Sequence, residues 1–215
     1  GQRGAGQADA AEQVAEHPMV FLTLTAPSFG AVHTTAKDGR SGTCEHGNPT
    51  RCRCQHNEDD PRRGDAVCPE CYDYIGQTVW QFHAPELWRR FTIRLRRELA
   101  RSLGLTQAAA ARVVRLQFAK VAEFQRRGVV HFHSIIRLDG VDAENPFPAP
   151  PANVTTEILV EAIHSTVRKT SALAAPLPGD EHARTLRWGK QFDARPIVRR
   201  DGLDGSLSDR AVAAY

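Results

Sequence analysis

The stretch VVRLQFAKVAEFQRRGVVHFHSIIRL, residues 113–138, contains two runs rich in apolar residues on either side of Arg126, Arg127 and Gly128. Runs of this kind predict strands, and a short polar break that contains glycine predicts the tight turn of a hairpin. We therefore expect antiparallel strands over residues 113–124 and 129–138. Gly128 should occupy the turn position whose backbone conformation is strained for other residues.

Three potential metal ligands follow from this hairpin. His131 and His133 are separated by one residue, so strand periodicity places both imidazoles on one face and turns Phe132 into the core. The hairpin also brings Glu123, on the preceding strand, beside the two histidines. Mixed nitrogen and oxygen ligands with open positions favour Mn²⁺ or Mg²⁺ over a closed structural zinc. The alternative to a metal site, for an isolated His-x-His pair, is that the two histidines face solvent and form hydrogen bonds.

The rest of the chain predicts an α+β domain around the hairpin, because alternating and helically spaced apolar segments follow one another. The expected elements are a strand at residues 20–25, a helix at 84–103, a short helical turn after Thr106, a helix from Thr155 or Thr156 to about Thr170, a strand region at 184–198 and a helical pattern from Ser208. The resulting order of β, insertion, α, β, β, α, β, α indicates a ferredoxin-like split βαβ fold with a central antiparallel sheet.

All five cysteines lie in one segment with the spacing C-x7-C-x-C-x13-C-x2-C. The surrounding residues 37–75 have almost no aliphatic side chains, so we expect a zinc-binding insertion that a metal stabilises in place of a core. An odd number of cysteines in a chain expected to be cytoplasmic argues against disulfides. The preferred zinc ligands are Cys44, Cys52, Cys68 and Cys71, with Cys54 and His56 as alternates. Reactive or redox thiols are the competing interpretation.

Composition limits the class of protein without identifying it. The net charge of +3 is mild, but residues 87–127 hold eleven basic side chains against two acids. This asymmetry fits either solvated helix faces or a phosphate-binding surface. No apolar run reaches the length of a membrane span, and residues 1–16 read as a flexible tail rather than a secretory signal. We expect a bacterial cytoplasmic protein with one domain over residues 17–215.

Several segments together resemble a known family, in unchanged order over residues 20–215. These segments are FLTLTAPSFGAVH, CPECYDY, ELWRRFTIRLRREL, VAEFQRRGVVHFHSIIRLDG and TLRWGKQFD. They are similar to the His-hydrophobic-His (HUH) endonucleases that initiate rolling-circle replication of actinobacterial plasmids and integrative conjugative elements, the RepSA-like initiators. The resemblance implies the HUH endonuclease fold. It also implies that Glu123, His131 and His133 bind the catalytic Mn²⁺ or Mg²⁺.

The resemblance extends to a nucleophile. AVAAY at residues 211–215 matches the opening of a family helix that bears Tyr-x-x-Lys-Tyr, which implies that Tyr215 attacks the DNA. The family's lysine and second tyrosine are absent, so the remainder of this motif is expected to be missing. The implied reaction nicks single-stranded or hairpin origin DNA, giving a 5′-phosphotyrosine and a free 3′-OH that primes synthesis with host replication proteins.

Basic and polar residues near these motifs are the candidate DNA contacts. They are Arg126, Arg127, Arg187, Lys190 and Thr25. A basic groove with a few aromatic side chains is the expected way to bind single-stranded DNA. Two other functions remain open: an HUH transposase or relaxase, and a non-catalytic zinc-containing DNA-binding module.

Overall fold

A computed structural model describes residues 14–35, 42–179 and 181–197. Within these ranges the strands are β1 (Met19–Leu24), β2 (Arg115–Phe124), β3 (Val130–Asp139), β4 (Ser171–Ala174), β5 (Arg184–Arg187) and β6 (Asp193–Pro196). The helices are α1 (Tyr74–Ser102), α2 (Gln107–Ala110) and α3 (Thr156–Lys169), with a 3-10 turn at Pro69–Cys71. Most of the predicted N-terminal tail, the helical pattern after Ser208 and Tyr215 lie outside the described residues.

The predicted hairpin is present and lies at one edge of a four-stranded sheet of order β2-β3-β1-β6. All three strand pairings in this sheet are antiparallel. Consequently β1 and β2, which α1 and α2 connect, run parallel with β3 between them. In the same way β3 and β6, which flank α3 in the chain, run parallel with β1 between them. The predicted α+β class and antiparallel central sheet are therefore confirmed, and the strand order is that of a split βαβ arrangement.

The hairpin turn follows the chemistry that its sequence predicts. The amide of Gly128 donates to the carbonyl of Gln125 at 2.7 Å, and Gln125 donates to Val129 at 3.0 Å. Gly128 has φ +71°, a left-handed conformation that glycine adopts without the steric strain of other residues. This geometry corresponds to a tight turn followed by a left-handed bulge residue.

The two faces of the sheet differ in character. On one face, Val20, Leu22, Leu24, Phe132 and Ile136 are buried against the helical layer. The opposite face, here called the His131 face, carries Thr23 of β1, Glu123 of β2 and both His131 and His133 of β3. This alternation follows from the two-residue period of a strand, and it separates the core from the candidate ligands.

Helix α1 packs a long apolar face into the core, and it starts earlier than the sequence predicts. The predicted apolar positions Leu87, Trp88, Phe91, Leu95 and Leu99 are all buried. The predicted start at residue 84 is wrong, because α1 begins at Tyr74 and continues through Pro85. Asp73 caps this start by accepting from the amide of Gly76 at 2.7 Å. A β-carbon at Gly76 would lie 2.0 Å from the Asp73 carboxylate, so the cap requires glycine there.

The C-terminal strands also differ from the sequence prediction. Residues 184–198 contain two short strands in different sheets, because β5 pairs with β4 whereas β6 pairs with β1. Strand β4 was not predicted at all. Helix α3 agrees closely with prediction, since Thr155 caps it by accepting from the amide of Ile158 at 3.4 Å. Among the described residues, no helix is both long enough and apolar enough to cross a membrane.

Candidate metal centres and a basic cleft

The backbone register of β1, β2 and β3 positions the candidate ligands on the His131 face. Glu123 lies directly opposite His131, and Thr23 lies directly opposite His133. Because the register is fixed by the hairpin and by the buried alternate residues, these side chains share one face without any metal to hold them.

Hydrogen bonds orient His133 through both of its ring nitrogens. Nε2 lies 2.9 Å from Oε2 of Glu123, and Nδ1 lies 3.1 Å from Oγ1 of Thr23. The ring also stacks on Phe21 with a centroid distance of 5.9 Å. A carboxylate on one nitrogen and a hydroxyl on the other hold the imidazole in a single orientation.

His131 differs from His133 because one of its ring nitrogens has no hydrogen-bond partner within the described part of the chain. Its Nε2 is buried and has no hydrogen-bond partner among the described residues. Burial lowers the pKa of His131, and the positive charge of Arg127 and the proximity of His133 lower it further. The lowered pKa favours the neutral form of the ring. An unpaired buried imidazole nitrogen is unfavourable, so this atom is a candidate ligand for a cation.

The three predicted ligands converge only in part. Glu123 and His133 are in contact. The ligand atoms of Glu123, His131 and His133 nevertheless do not form a group with all members within 4.8 Å, a distance that two other clusters among the described residues do satisfy.

The first of the two compact clusters joins Cys44, His46, Cys68 and Cys71. Cys44 Sγ and Cys68 Sγ are 3.7 Å apart, and His46 Nδ1 lies 3.3 Å from Cys71 Sγ and 3.7 Å from Cys68 Sγ. Tetrahedral zinc with ordinary bond lengths separates two sulfurs by ~3.7 Å and a sulfur from a nitrogen by ~3.5 Å. These four side chains could therefore hold zinc with little rearrangement.

The second cluster joins His33, Cys52 and His56. Three members of the predicted zinc set are thus brought together in the first cluster, but Cys52 is not among them and His46 stands in its place. His56, an alternate in the prediction, belongs to the second cluster. Cys54 is exposed and belongs to neither cluster. The second cluster could also hold a metal ion.

Two of these ligands were missed by sequence reasoning for different reasons. His46 lies within the cysteine segment, but the four-cysteine pattern is the stronger spacing signal and was preferred. His33 lies 19 residues before Cys52 and outside the predicted insertion. The antiparallel bridge between Val32 and Ala66, with the backbone hydrogen bonds beside it, returns the later loop to His33, and nothing in the spacing indicates this pairing.

Four of the five predicted DNA contacts line one cleft of about 970 Å³. They are Thr25, Arg127, Arg187 and Lys190, and the basic side chains of Arg51 and Arg184 lie on the same cleft. Thr25 also fixes the β5–β6 connection, since its carbonyl accepts from Gly189 at 2.7 Å and its hydroxyl donates to the carbonyl of Gln191. A concave surface with this charge suits a phosphate backbone.

The fifth predicted DNA contact and one aromatic residue of the cleft have other roles. Arg126 does not line this cleft; its Nη1 donates to the backbone carbonyl of Asp60 at 2.7 Å. Trp188 is 6% exposed and packs edge-on against Trp80 and Phe132, so it belongs to the core. Arg126 thus contacts the cysteine loop. The aromatic residues that line the cleft, Phe29, Trp80 and Trp188, are largely buried, so the cleft presents mainly basic groups to a ligand.

The tyrosines of the described residues lie beside the first cysteine cluster. Tyr72 is buried and its hydroxyl donates to Gln77 Oε1 at 2.6 Å, whereas Tyr74 is 53% exposed. Their rings contact each other at 4.7 Å. Tyr72 therefore serves packing around the start of α1, and the predicted nucleophile Tyr215 lies outside the described residues.

Comparison with known proteins identifies relatives over the whole chain. A family model described as "RepSA: Replication initiator protein, pSAM2" matches residues 1–215. A replication initiator protein of Streptomyces ambofaciens is 43% identical over 216 residues, which cover 100% of this chain and 44% of that protein. The chain thus spans less than half the length of this relative. No solved structure matches the chain significantly.

Proposed function

The chain belongs to the RepSA family of replication initiator proteins, and from this premise we propose that it is an HUH endonuclease that nicks origin DNA of a plasmid or mobile element. In this proposal Glu123, His131 and His133 hold a catalytic Mn²⁺ or Mg²⁺, and Tyr215 is the nucleophile. The observation that carries the proposal is the placement of an acid and two histidines, from adjacent strands, on the His131 face.

The strand arrangement supports this assignment. An antiparallel sheet of order β2-β3-β1-β6 with two split βαβ units is the topology expected of a ferredoxin-like HUH endonuclease. The two histidines lie on the central strand β3, and Glu123 lies on the neighbouring edge strand. A rigid sheet positions catalytic groups more accurately than loops do.

The donor atoms of the three side chains suit a divalent cation. His131 offers a buried nitrogen without a partner among the described residues, and Glu123 and His133 offer an oxygen and a nitrogen in contact with each other. A mixed nitrogen and oxygen set with open positions suits Mn²⁺ or Mg²⁺. When bound there, such an ion withdraws negative charge from the scissile phosphate. Thr23 contributes by fixing the ring orientation of His133.

The proposed chemistry is an exchange of phosphodiester bonds. The phenolic oxygen of Tyr215 forms a bond to the scissile phosphorus, and the bond from phosphorus to the 3′ oxygen breaks. The phenol loses its proton to solvent and the 3′ oxygen gains one, so the products are a 5′-phosphotyrosine and a free 3′-OH. The phosphotyrosine retains the energy of the broken phosphodiester for later religation, and the 3′-OH can prime synthesis by host replication proteins.

The cleft and the first cysteine cluster complete the proposal. Thr25, Arg127, Arg187 and Lys190 would bind single-stranded or hairpin DNA along the cleft, since multiple cationic contacts dominate the affinity for phosphate backbones. Structural zinc at the Cys44, His46, Cys68 and Cys71 cluster would order the loop that precedes α1. Four protein ligands leave this zinc without a position for substrate.

Incubation with labelled single-stranded origin DNA and Mn²⁺, followed by a denaturing gel, tests the proposal. We expect a covalent protein–DNA adduct whose formation requires His131 and His133. The substitution Tyr215→Phe should abolish the adduct. The same assay is run on a longer form of the protein that extends beyond residue 215. If neither form gives an adduct while both bind the DNA, the chain is a DNA-binding module and the nicking assignment is wrong.

A further inference from the structure

We propose that His33, Cys52 and His56 bind a second zinc ion, distinct from that of the Cys44 cluster, and that this ion fixes the turn of the β2–β3 hairpin. Asp60 is the residue that positions His56 and reaches the turn, and Cys54 is not a ligand. The inference does not depend on the nicking activity, because it concerns metal content and the order of residues 52–66 and 125–128.

The ligand atoms already have the spacing of a metal site. His33 Nδ1 lies 2.9 Å from His56 Nε2 and 3.5 Å from Cys52 Sγ. Tetrahedral zinc separates two nitrogens by ~3.3 Å and a nitrogen from a sulfur by ~3.5 Å, so a small outward movement of one imidazole admits the ion. Thiolate with two imidazoles is a donor set that selects zinc over Mg²⁺ or Mn²⁺.

Burial supports a metal rather than a solvated polar cluster. Cys52 is 2% exposed and His56 is 3% exposed, in a loop whose neighbours are almost entirely polar. Burying these groups without an apolar core to stabilise the loop is unfavourable unless a strong interaction compensates. Coordination provides that interaction, since a structural zinc contributes directly to folding free energy.

Asp60 holds His56 in the orientation that a ligand requires. Asp60 Oδ2 lies 2.7 Å from His56 Nδ1, which leaves Nε2 directed at His33. Asp60 is itself held by the backbone amide of Arg62 at 2.9 Å and the Arg62 guanidinium at 3.1 Å. A carboxylate on the far nitrogen of a metal-binding histidine fixes its tautomer and raises its basicity.

The two clusters are independent crosslinks. They share no residue, and they join different parts of the chain. The Cys44 cluster closes a loop upon Cys68 and Cys71 next to α1, whereas the second cluster ties residues 52–56 to His33, in the segment after β1. Each crosslink removes conformational freedom that the unfolded loop would otherwise keep.

The second cluster also connects to the hairpin turn. The backbone carbonyl of Asp60 accepts from Arg126 Nη1 at 2.7 Å. The carbonyl of His33 accepts from the amide of Gly64 at 2.9 Å. A β-carbon on Gly64 would lie 3.4 Å from Cβ of Arg126, so the loop approaches the turn closely at this glycine. A metal that fixes His33 and His56 therefore fixes the loop against which the turn between β2 and β3 packs.

Zinc content measured by mass spectrometry on the purified full chain is the first test. We expect two zinc ions per chain in the parent protein, one in Cys52→Ser and one in Cys71→Ser. The matched control Cys54→Ser should retain two. One zinc in the parent chain, or loss of zinc from Cys54→Ser but not from Cys52→Ser, would overturn the assignment.

A second measurement covers the case in which Cys52→Ser does not fold. The parent chain is reconstituted with Co²⁺, whose thiolate charge-transfer band grows with the number of coordinating thiolates. We expect two cobalt ions and four thiolates per chain, three from the Cys44 cluster and one from Cys52. A chain that saturates at one cobalt and three thiolates contradicts the proposal.

Hydrogen exchange tests the link to the hairpin. In Cys52→Ser we expect faster exchange at Gly128, whose amide closes the turn, and across residues 52–66. Val130 should remain protected, because its amide donates to Gln81 of α1 at 3.1 Å. Cys71→Ser should leave Gly128 unchanged. Unaltered exchange at Gly128 in a Cys52→Ser chain that has lost one zinc would refute the structural link.

Discussion

The His131 face and the cysteine loop place potential metal ligands by opposite means. On the sheet, β1, β2 and β3 set Thr23, Glu123, His131 and His133 through backbone pairing that persists without an ion. In the loop, sulfurs and nitrogens come within coordination distance of one another, while the surrounding chain offers few apolar contacts. On the sheet, the ligand atoms of Glu123, His131 and His133 do not all lie within 4.8 Å of one another.

This difference separates a site that can exchange ligands from sites that hold the fold. A catalytic ion needs open positions for substrate, and ligands positioned by a sheet allow them because the fold does not depend on the ion. The four ligands of the Cys44 cluster would saturate a zinc ion, and such an ion contributes to stability. Removing a ligand of the loop sites should therefore reduce stability, whereas removing a ligand on the sheet should reduce activity.

Cys71→Ser should give the largest change in stability. Loss of one ligand of the Cys44 cluster removes a structural zinc whose binding supports the loop before α1, and we expect destabilisation of about 5 kcal/mol, measured by urea unfolding. The matched control Cys54→Ser should unfold like the parent protein. Equal unfolding of Cys71→Ser and the parent would show that the cluster does not hold a structural metal.

His133→Ala should give the opposite pattern. Because the sheet register does not depend on this side chain, stability should change by less than about 1 kcal/mol. Nicking with Mn²⁺ should fall by about three orders of magnitude, or about 4 kcal/mol of transition-state stabilisation. His83→Ala on α1 is the matched control and should retain activity. Loss of both folding and activity in His133→Ala would remove the distinction between the two kinds of site.

Asp139→Asn tests how β3 is held at the end away from the candidate site. Burial alone would raise the pKa of Asp139, but hydrogen bonds from Arg137 and His17 hold it below its ordinary value. The folded protein therefore favours the carboxylate, and its contribution is present above about pH 4 and lost as pH falls through the lowered pKa. We expect a loss of about 3 kcal/mol at pH 7, because Arg137 and His17 lose their anionic partner.

Urea unfolding at several pH values checks this prediction. The stability difference between parent and Asp139→Asn should shrink as pH falls below about 4, since protonation of Asp139 removes the same interaction in the parent. The exposed loop variant Asp59→Asn serves as control. A difference that is independent of pH would assign the effect of Asp139→Asn to packing instead.

Thr23→Val should give the smallest effect. It removes the hydroxyl that lies 3.1 Å from His133 Nδ1 but preserves the shape of a β-branched residue on β1. Outer partners of metal-bound histidines typically contribute 10–100-fold to metal affinity or activity, so we expect the Mn²⁺ requirement to rise by about tenfold. The measurement is nicking rate against Mn²⁺ concentration, with Thr78→Val on α1 as control. An unchanged Mn²⁺ requirement would show that Thr23 does not position His133.

Local patterns in the sequence predicted the elements that depend on local chemistry. The hairpin around Gly128 and the cap of α3 at Thr155 follow from a few adjacent residues, and both are present. The start of α1 was missed because the helically spaced apolar positions used to predict it begin only at Leu87, and the cap at Asp73 was not recognised. Strand β4 has only four residues, too few to show a period.

The division of metal ligands could not be predicted for a different reason. The cysteine segment offers five thiols and two histidines within 28 residues, and many sets of four satisfy the spacing rules. The choice between Cys52 and His46 depends on how the loop folds back upon His33, which is a long-range contact. Glu123, His131 and His133 were easier to predict as neighbours because the pairing of two adjacent strands alone brings them together.

The five-residue turn between β2 and β3 makes chain length, rather than composition, the most sensitive property of the hairpin. Phe124 pairs with Val130, and this first pair sets the register of all the other residue pairs between β2 and β3. Deleting one residue of the turn would shift one strand by a single position and send Glu123 to the face that carries Phe132. Single-residue insertions and deletions in this turn should therefore be eliminated in any functional selection.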